Sequence, residues 1–96
     1  MEFTWDEAKA TINLQKHKVS FEEAKTVFDD EEALFMSDPD HSDTEERFIL
    51  LGMSTLLRLL VVCHCYREND DVIRIISARK ATKNETNTYT RRKDYA

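Results

Sequence analysis

The sequence predicts a single α+β domain in which helices pack on one sheet. Three observations carry this expectation. Two stretches with helical spacing of apolar residues come first, four stretches rich in Ile, Leu and Val follow, and a polar, helix-compatible stretch closes the chain. Helices and strands grouped in this way, without strict alternation, point to an α+β sandwich. The 96 residues, 34% charged, with one Gly and one Pro, leave room for a single core over residues 1–96 and exclude a linker, a collagen-like chain or a disordered tail.

Glu2 to Trp5 alternates polar and apolar side chains and is expected as a short first strand. Asp6 offers an N-cap oxygen to a helix running through Ala8, Ala10, Ile12 and Leu14 and ending near His17. Ser20 and Glu23 form a capping box, and Phe21, Ala24, Val27 and Phe28 give a second helix one apolar face, closed by Asp29 to Glu32. Only Lys18 and Val19 join the two, so a helical hairpin is expected to lie on the sheet.

Ala33 to Ser37 reads as a strand, followed by an acidic, turn-rich loop from Asp38 to Asp43 that contains His41. Glu45 to Ser54, Leu56 to Glu68 and Asp71 to Ala78 read as an antiparallel meander turning at Ser54-Thr55 and Asn69-Asp70. Alternation in the last strand puts Val72, Arg74, Ile76 and Ala78 on one face and Ile73, Ile75, Ser77 and Arg79 on the other; one register slip reverses this. From Lys80 onward a weakly amphipathic helix carrying Tyr89 is expected, ahead of a charged tail.

The net charge of −5 hides an asymmetry: residues 1–46 carry −10 and residues 47–96 carry +5. A basic second half suits a phosphate-bearing ligand or an acidic partner, or is solvated surface. The longest apolar stretch, Leu56 to Cys65, is interrupted by Arg58 and His64 and falls short of the roughly 20 residues of a membrane span. The N-terminus lacks a basic start followed by an apolar run, so no membrane association and a cytoplasmic location are expected. Cys63 and Cys65, two apart in one strand, cannot staple a fold and are expected as reduced thiols. His64 faces away from both, so the three do not share a metal; no metal or cofactor is expected.

The residues Phe3-Thr4-Trp5-Asp6-Glu7, Lys16 to Ala24, Glu46-Arg47, Gly52, Arg58 to Val62, Tyr66-Arg67-Glu68 and above all Ile73 to Thr82 resemble the BrnT family of toxins. The resemblance extends from Phe3 to about Tyr89. It implies a RelE-like fold, with a helical hairpin and a C-terminal helix packed on an antiparallel sheet of four to five strands. It implies a ribonuclease that arrests translation, neutralised by a BrnA-type ribbon-helix-helix antitoxin in a heterotetramer of two toxins and two antitoxins. Operator DNA would then be touched only through the antitoxin. Two departures stand out: family members often carry Gly where this chain has Lys18, and a Gly-Arg pair where it has Leu57-Arg58.

Cutting RNA through its own 2′-hydroxyl needs proton-transfer groups and fixed cations that neutralise the phosphorane. Arg47, Arg58, Arg67, Arg74, Arg79 and Lys80 supply the cations, and the arginine fork suits phosphate oxygens. Arg67 and Arg79 end neighbouring strands at opposite ends, over 20 Å apart at about 3.3 Å per residue. Arg58 and Arg79 are therefore expected as the catalytic cluster, with His17 as an acid or phosphate binder at a helix C-terminus or, alternatively, a plain cap. Arg67, Arg47, Arg74, Lys80 and Tyr89 are the expected substrate contacts; Glu85 and Tyr89, four apart, face one side of the last helix and complete the site or touch the antitoxin. Trp5 either stacks on a base or anchors the core. The competing functions are a non-catalytic module that keeps only the antitoxin contact, and a DNA-binding regulator acting alone, for which no basic helix or helix-turn-helix pattern is visible.

Overall fold

The computed structural model describes residues 1–38 and 45–94. The elements are β1 (Glu2–Thr4), α1 (Glu7–His17), α2 (Phe21–Thr26) with a 3₁₀ turn (Val27–Asp29), β2 (Leu34–Ser37), β3 (Phe48–Met53), β4 (Leu59–Arg67), β5 (Val72–Lys80) and α3 (Lys83–Asp94). They form one five-stranded sheet in the order β1-β5-β4-β3-β2. The α+β expectation holds with one change. β1 pairs with β5 in parallel, so the sheet is mixed and only β2 to β5 form an antiparallel meander.

The helical hairpin forms as its caps dictate. Asp6 accepts the Lys9 N–H, and Ser20 accepts the Glu23 N–H. Lys18 ends α1 in the left-handed region, with φ 60°. Leu57, in the β3–β4 connection, is left-handed as well, with φ 62°. These are the two positions where the resemblance expects glycine, and each L-residue pays a steric cost there. The β3–β4 turn is longer than the expected dipeptide: Ser54 N donates to Arg58 O at 2.9 Å and Leu57 N to Ser54 O at 3.0 Å, so β4 begins only at Leu59. The β4–β5 turn likewise runs through Glu68, Asn69 and Asp70, all with positive φ. β5 continues to Lys80, and α3 starts later than expected, at Lys83.

One face of the sheet is covered by α1 and α2. Val19, Phe21, Ala24 and Val27 meet Leu50, Leu60, Val62, Ile73, Ile75 and Ala78 in the main core. Gly52 lies where the 3₁₀ turn crosses β3; a Cβ there would come within 2.9 Å of Ala33 Cβ and Val27 Cγ1. The other face carries a smaller cluster of Leu51, Val61 and Tyr89, brought down by α3.

The strip of β5 beyond β1 would be an open edge. There the buried Asn13 of α1 acts as a surrogate strand: its Nδ2 donates to Ala78 O at 2.8 Å and its Oδ1 accepts from Ala78 N at 3.1 Å. The same Nδ2 donates to Val19 O, tying the hairpin to the sheet.

A β-bulge decides which side chains share a face. Cys63 pairs with Ser77, but His64 pairs with Ile75, so Ile76 is an extra residue on β5. Ile73, Ile75 and Ala78 all point at the helices. Arg74 and Arg79, assigned to opposite faces by simple alternation, therefore lie together on the face away from α1 and α2.

Candidate nucleic-acid interface

Arginines from three strands converge on that face. Arg74 and Arg79 come from β5, Arg67 from the end of β4, and Arg47 from the residue before β3. Arg47 and Arg79 line one depression of about 340 Å³ together with Ile49, Val61, Cys63 and Ser77. Arg67 and Arg74 line a second with Glu2, Thr4 and Val72, so the two basins cover adjoining parts of one sheet surface. Glu45 lies between Arg47, at 3.6 Å, and Arg67, at 2.9 Å, which places both near the hairpin end as expected.

Arg79 is the most organised member. Its Nη1 and Nη2 donate to Glu85 Oε1 and Oε2 at 2.8 and 2.9 Å. Glu85 is itself fixed, because Thr82 and Glu85 form a capping box: Thr82 N donates to Glu85 Oε1 and Glu85 N donates to Thr82 Oγ1. The Arg79 guanidinium holds the Glu85 carboxyl down at about 2 against the opposing cost of burial. With the end-on fork occupied by Glu85, Nε–H and the second Nη2–H have no partner among the described residues and can donate two parallel hydrogen bonds to a phosphate. The Thr82-Lys83-Asn84-Glu85 capping pattern is a local signal that the sequence reading passed over; its second role, orienting Arg79, needed the fold.

Arg58 stands elsewhere, which corrects the expected cluster with Arg79. It sits on the helix-covered side, where Nε donates to Glu23 Oε2 at 2.9 Å and Nη2 donates to Glu23 Oε1 and to Lys18 O. Ser54 Oγ donates to the same carboxylate at 2.7 Å. Glu23 is buried, and the Arg58 hydrogen bond holds its carboxyl below the ordinary value against desolvation. Both arginines lie at the same end of the sheet, but on opposite faces of it. Position along a strand set the expectation, and the face overturned it. Arg58 supports the hairpin and has little capacity left for a phosphate.

Lys80 also faces the helix side and lies close enough to Glu23 to favour its ionised form. His17 is half-buried as the last residue of α1, one turn beyond Asn13 and beside Lys18, whose carbonyl Arg58 binds. It therefore lies near the end of β5 but on the hairpin side, with Arg58 and Lys80, and not on the face that carries Arg79, which corrects its expected place in the catalytic cluster. Tyr89, expected to touch substrate, is 4% exposed and donates to Asp30 Oδ2 at 2.7 Å. Asp30 Oδ2 also accepts from Met53 N, so Tyr89 pins α3 to β3 and the 3₁₀ turn and is not free to stack on a base.

Trp5 packs edge-on against Phe21 and donates from its ring N–H to Glu7, an anchor for the start of the chain. His64 is fully buried beneath Phe28, Phe35, Phe48 and Tyr66, on the side away from Cys63 and Cys65. Both cysteines are unbridged, and burial raises the Cys63 thiol above its ordinary value. His41 lies outside the described residues. Among the described residues no helix is long and apolar enough to cross a membrane.

A mixed sheet with a helical hairpin on one face and a C-terminal helix bordering an arginine-bearing surface on the other has the RelE-like toxin arrangement. A crystal structure of the Brucella abortus ribonuclease toxin BrnT shares the fold, with a TM-score of 0.65 and 24% identity over 86% of this chain and 99% of that one. The profile of the family described as ribonuclease toxin, BrnT, of type II toxin-antitoxin systems matches residues 5–85, and the chain belongs to that family. No curated protein matches the sequence.

Proposed function

We propose that this chain is an endoribonuclease that needs no metal, cuts RNA on the arginine-bearing sheet face and thereby inhibits translation. The observation that carries the reading is the placement of Arg47, Arg67, Arg74 and Arg79 on the sheet face away from the helical hairpin, to which the bulge at Ile76 brings Arg79. Fixed guanidinium groups neutralise the charge that grows on the phosphorane as the 2′-oxygen attacks, and they do so without reorganising during the reaction. Arg79, braced by Glu85, presents its open fork to the scissile phosphate. Arg47, Arg67 and Arg74 hold flanking phosphates. His17 ends α1 on the hairpin side, beside Lys18, and takes no part in this reading.

Within a type II system the activity is held in check by an antitoxin, here taken to be a BrnA-type ribbon-helix-helix protein in a complex of two toxins and two antitoxins. DNA contact belongs to that partner.

The test is incubation of the purified, partner-free chain with single-stranded RNA, the same sequence as DNA, and the same RNA methylated at every 2′-oxygen. RNA should be cut to products with 2′,3′-cyclic phosphate ends, with and without a chelator, while the other two strands stay whole. Intact RNA in every assay, including translating extracts, overturns the proposal.

A further inference from the structure

The helix-side face ends, toward the β4–β5 turn, in a trough of about 650 Å³ whose aromatic lining the RNA-cutting reading does not use. Phe35 of β2, Phe48 at the start of β3 and Tyr66 of β4 line it in a row across the strands, with ring centroids 5.0 and 5.5 Å apart. Three carboxylates, Glu45, Glu46 and Asp70, share the lining with one guanidinium, Arg67, which is already bound by Glu45. At one end of the trough lies β2, the last strand of the sheet, whose outer edge has no partner strand among the described residues. Its two central residues are the large apolar side chains Phe35, 54% exposed, and Met36, 41% exposed. Glu31 and Glu32 precede the strand. An unpaired edge bearing exposed apolar side chains is a template for a further strand, which natural proteins leave uncovered only at a cost.

We infer that the β2 edge and the aromatic trough beside it are the docking site for an extended segment of the antitoxin that carries apolar and basic side chains. The charge decides among occupants. Nucleic acid is repelled by the carboxylates, and a two-fold pairing of this face with its own copy would bring two acidic linings together. A peptide with Lys or Arg beside an apolar residue satisfies both features of the trough: the cation meets the carboxylates and the ring faces, and the apolar side chain covers Phe35. The aromatic rings of the trough and the arginine surface lie on opposite faces of the sheet, and Arg67 with its partner Glu45 borders both, so the anchoring residues Phe35, Phe48 and Glu46 are separate from Arg74 and Arg79. This inference rests on the reading of the chain as an antitoxin-controlled nuclease.

The experiment uses the protein encoded beside this chain in its operon, purified, as the probe. Wild type, Phe35→Lys and Glu46→Lys are compared by calorimetric titration and by RNA cleavage with and without the probe. Glu46 is exposed, so that variant folds even where Phe35→Lys does not. The expected result is probe binding at least ~30-fold weaker in both folded variants, cleavage by the free variants within twofold of wild type, and cleavage that the probe no longer suppresses. Binding by Glu46→Lys within twofold of wild type overturns the docking site and leaves the antitoxin reading standing. No binding by wild type overturns both. Self-association of the wild type that the variants lose assigns the face to a second copy and overturns the inference.

Discussion

Two arginine-glutamate pairs, Arg58 with Glu23 and Arg79 with Glu85, lie at the same end of the sheet on opposite faces, and their contrast separates a structural tie from a candidate phosphate contact. Both are two-pronged, and in both the carboxylate is held below its ordinary value chiefly by its arginine. What differs is which partner depends on the other. The Glu23 side chain is 4% exposed and has been withdrawn from water, so Arg58 is committed to keeping it paired. The Glu85 side chain is 30% exposed and belongs to a helix cap, so it keeps its solvation and steadies Arg79 while leaving that guanidinium an open edge. The same chemical pair is a structural tie where the acid is buried and an aiming device where it is not.

The comparison can be broken most sharply by truncation. Arg79→Ala should lower RNA cleavage by roughly 100- to 1000-fold, the effect of removing one oxyanion donor, with the melting temperature little changed. Arg58→Ala should instead cost about 3 kcal/mol of stability by leaving Glu23 buried and unpaired, read from urea titration. Adding Glu23→Gln to that variant should recover much of the loss, a coupling that two independent sites would not show.

Gly52→Ala should cost about 2 kcal/mol by pushing the 3₁₀ turn off β3, because Val27 and Ala33 must give way. The other end of that turn is held by Tyr89, whose hydroxyl is pushed up to about 12 by burial and by its bond to Asp30. A group raised in the folded state contributes stability that is whole below pH 10 and is lost as pH rises toward 12. Thermal melts across that window should show the loss in wild type and not in Tyr89→Phe, which starts about 1.5 kcal/mol less stable. The smallest effect is a gain: Lys18→Gly and Leu57→Gly should each add about 0.5 to 1 kcal/mol by relieving the left-handed backbone, measured by denaturant titration.

Much of the fold was legible. Capping residues at Asp6, Ser20 and Glu23 delimit the hairpin, and aliphatic runs bounded by turn formers delimit the strands, because these signals are local. β1 joining in parallel beside β5 was not legible, since three residues carry no pairing information. The candidate site was legible as a set of arginines and not as an arrangement. A single inserted residue, Ile76, reverses the face of Arg79 relative to Arg74, and nothing in the local pattern marks it. Arg58 and Tyr89 looked like site residues for the same reason: residue type shows what a side chain can do, and only the position of Glu23 and Asp30 shows what each is already doing.

The most direct test of the account is the single-turnover cleavage rate of purified Arg79→Ala against Arg58→Lys, both confirmed as folded by circular dichroism, on one short RNA. The account expects Arg79→Ala to fall at least 100-fold and Arg58→Lys to stay within a few-fold of wild type. An Arg79→Ala variant that cuts at the wild-type rate, or a folded Arg58→Lys that loses cleavage as deeply, would contradict it.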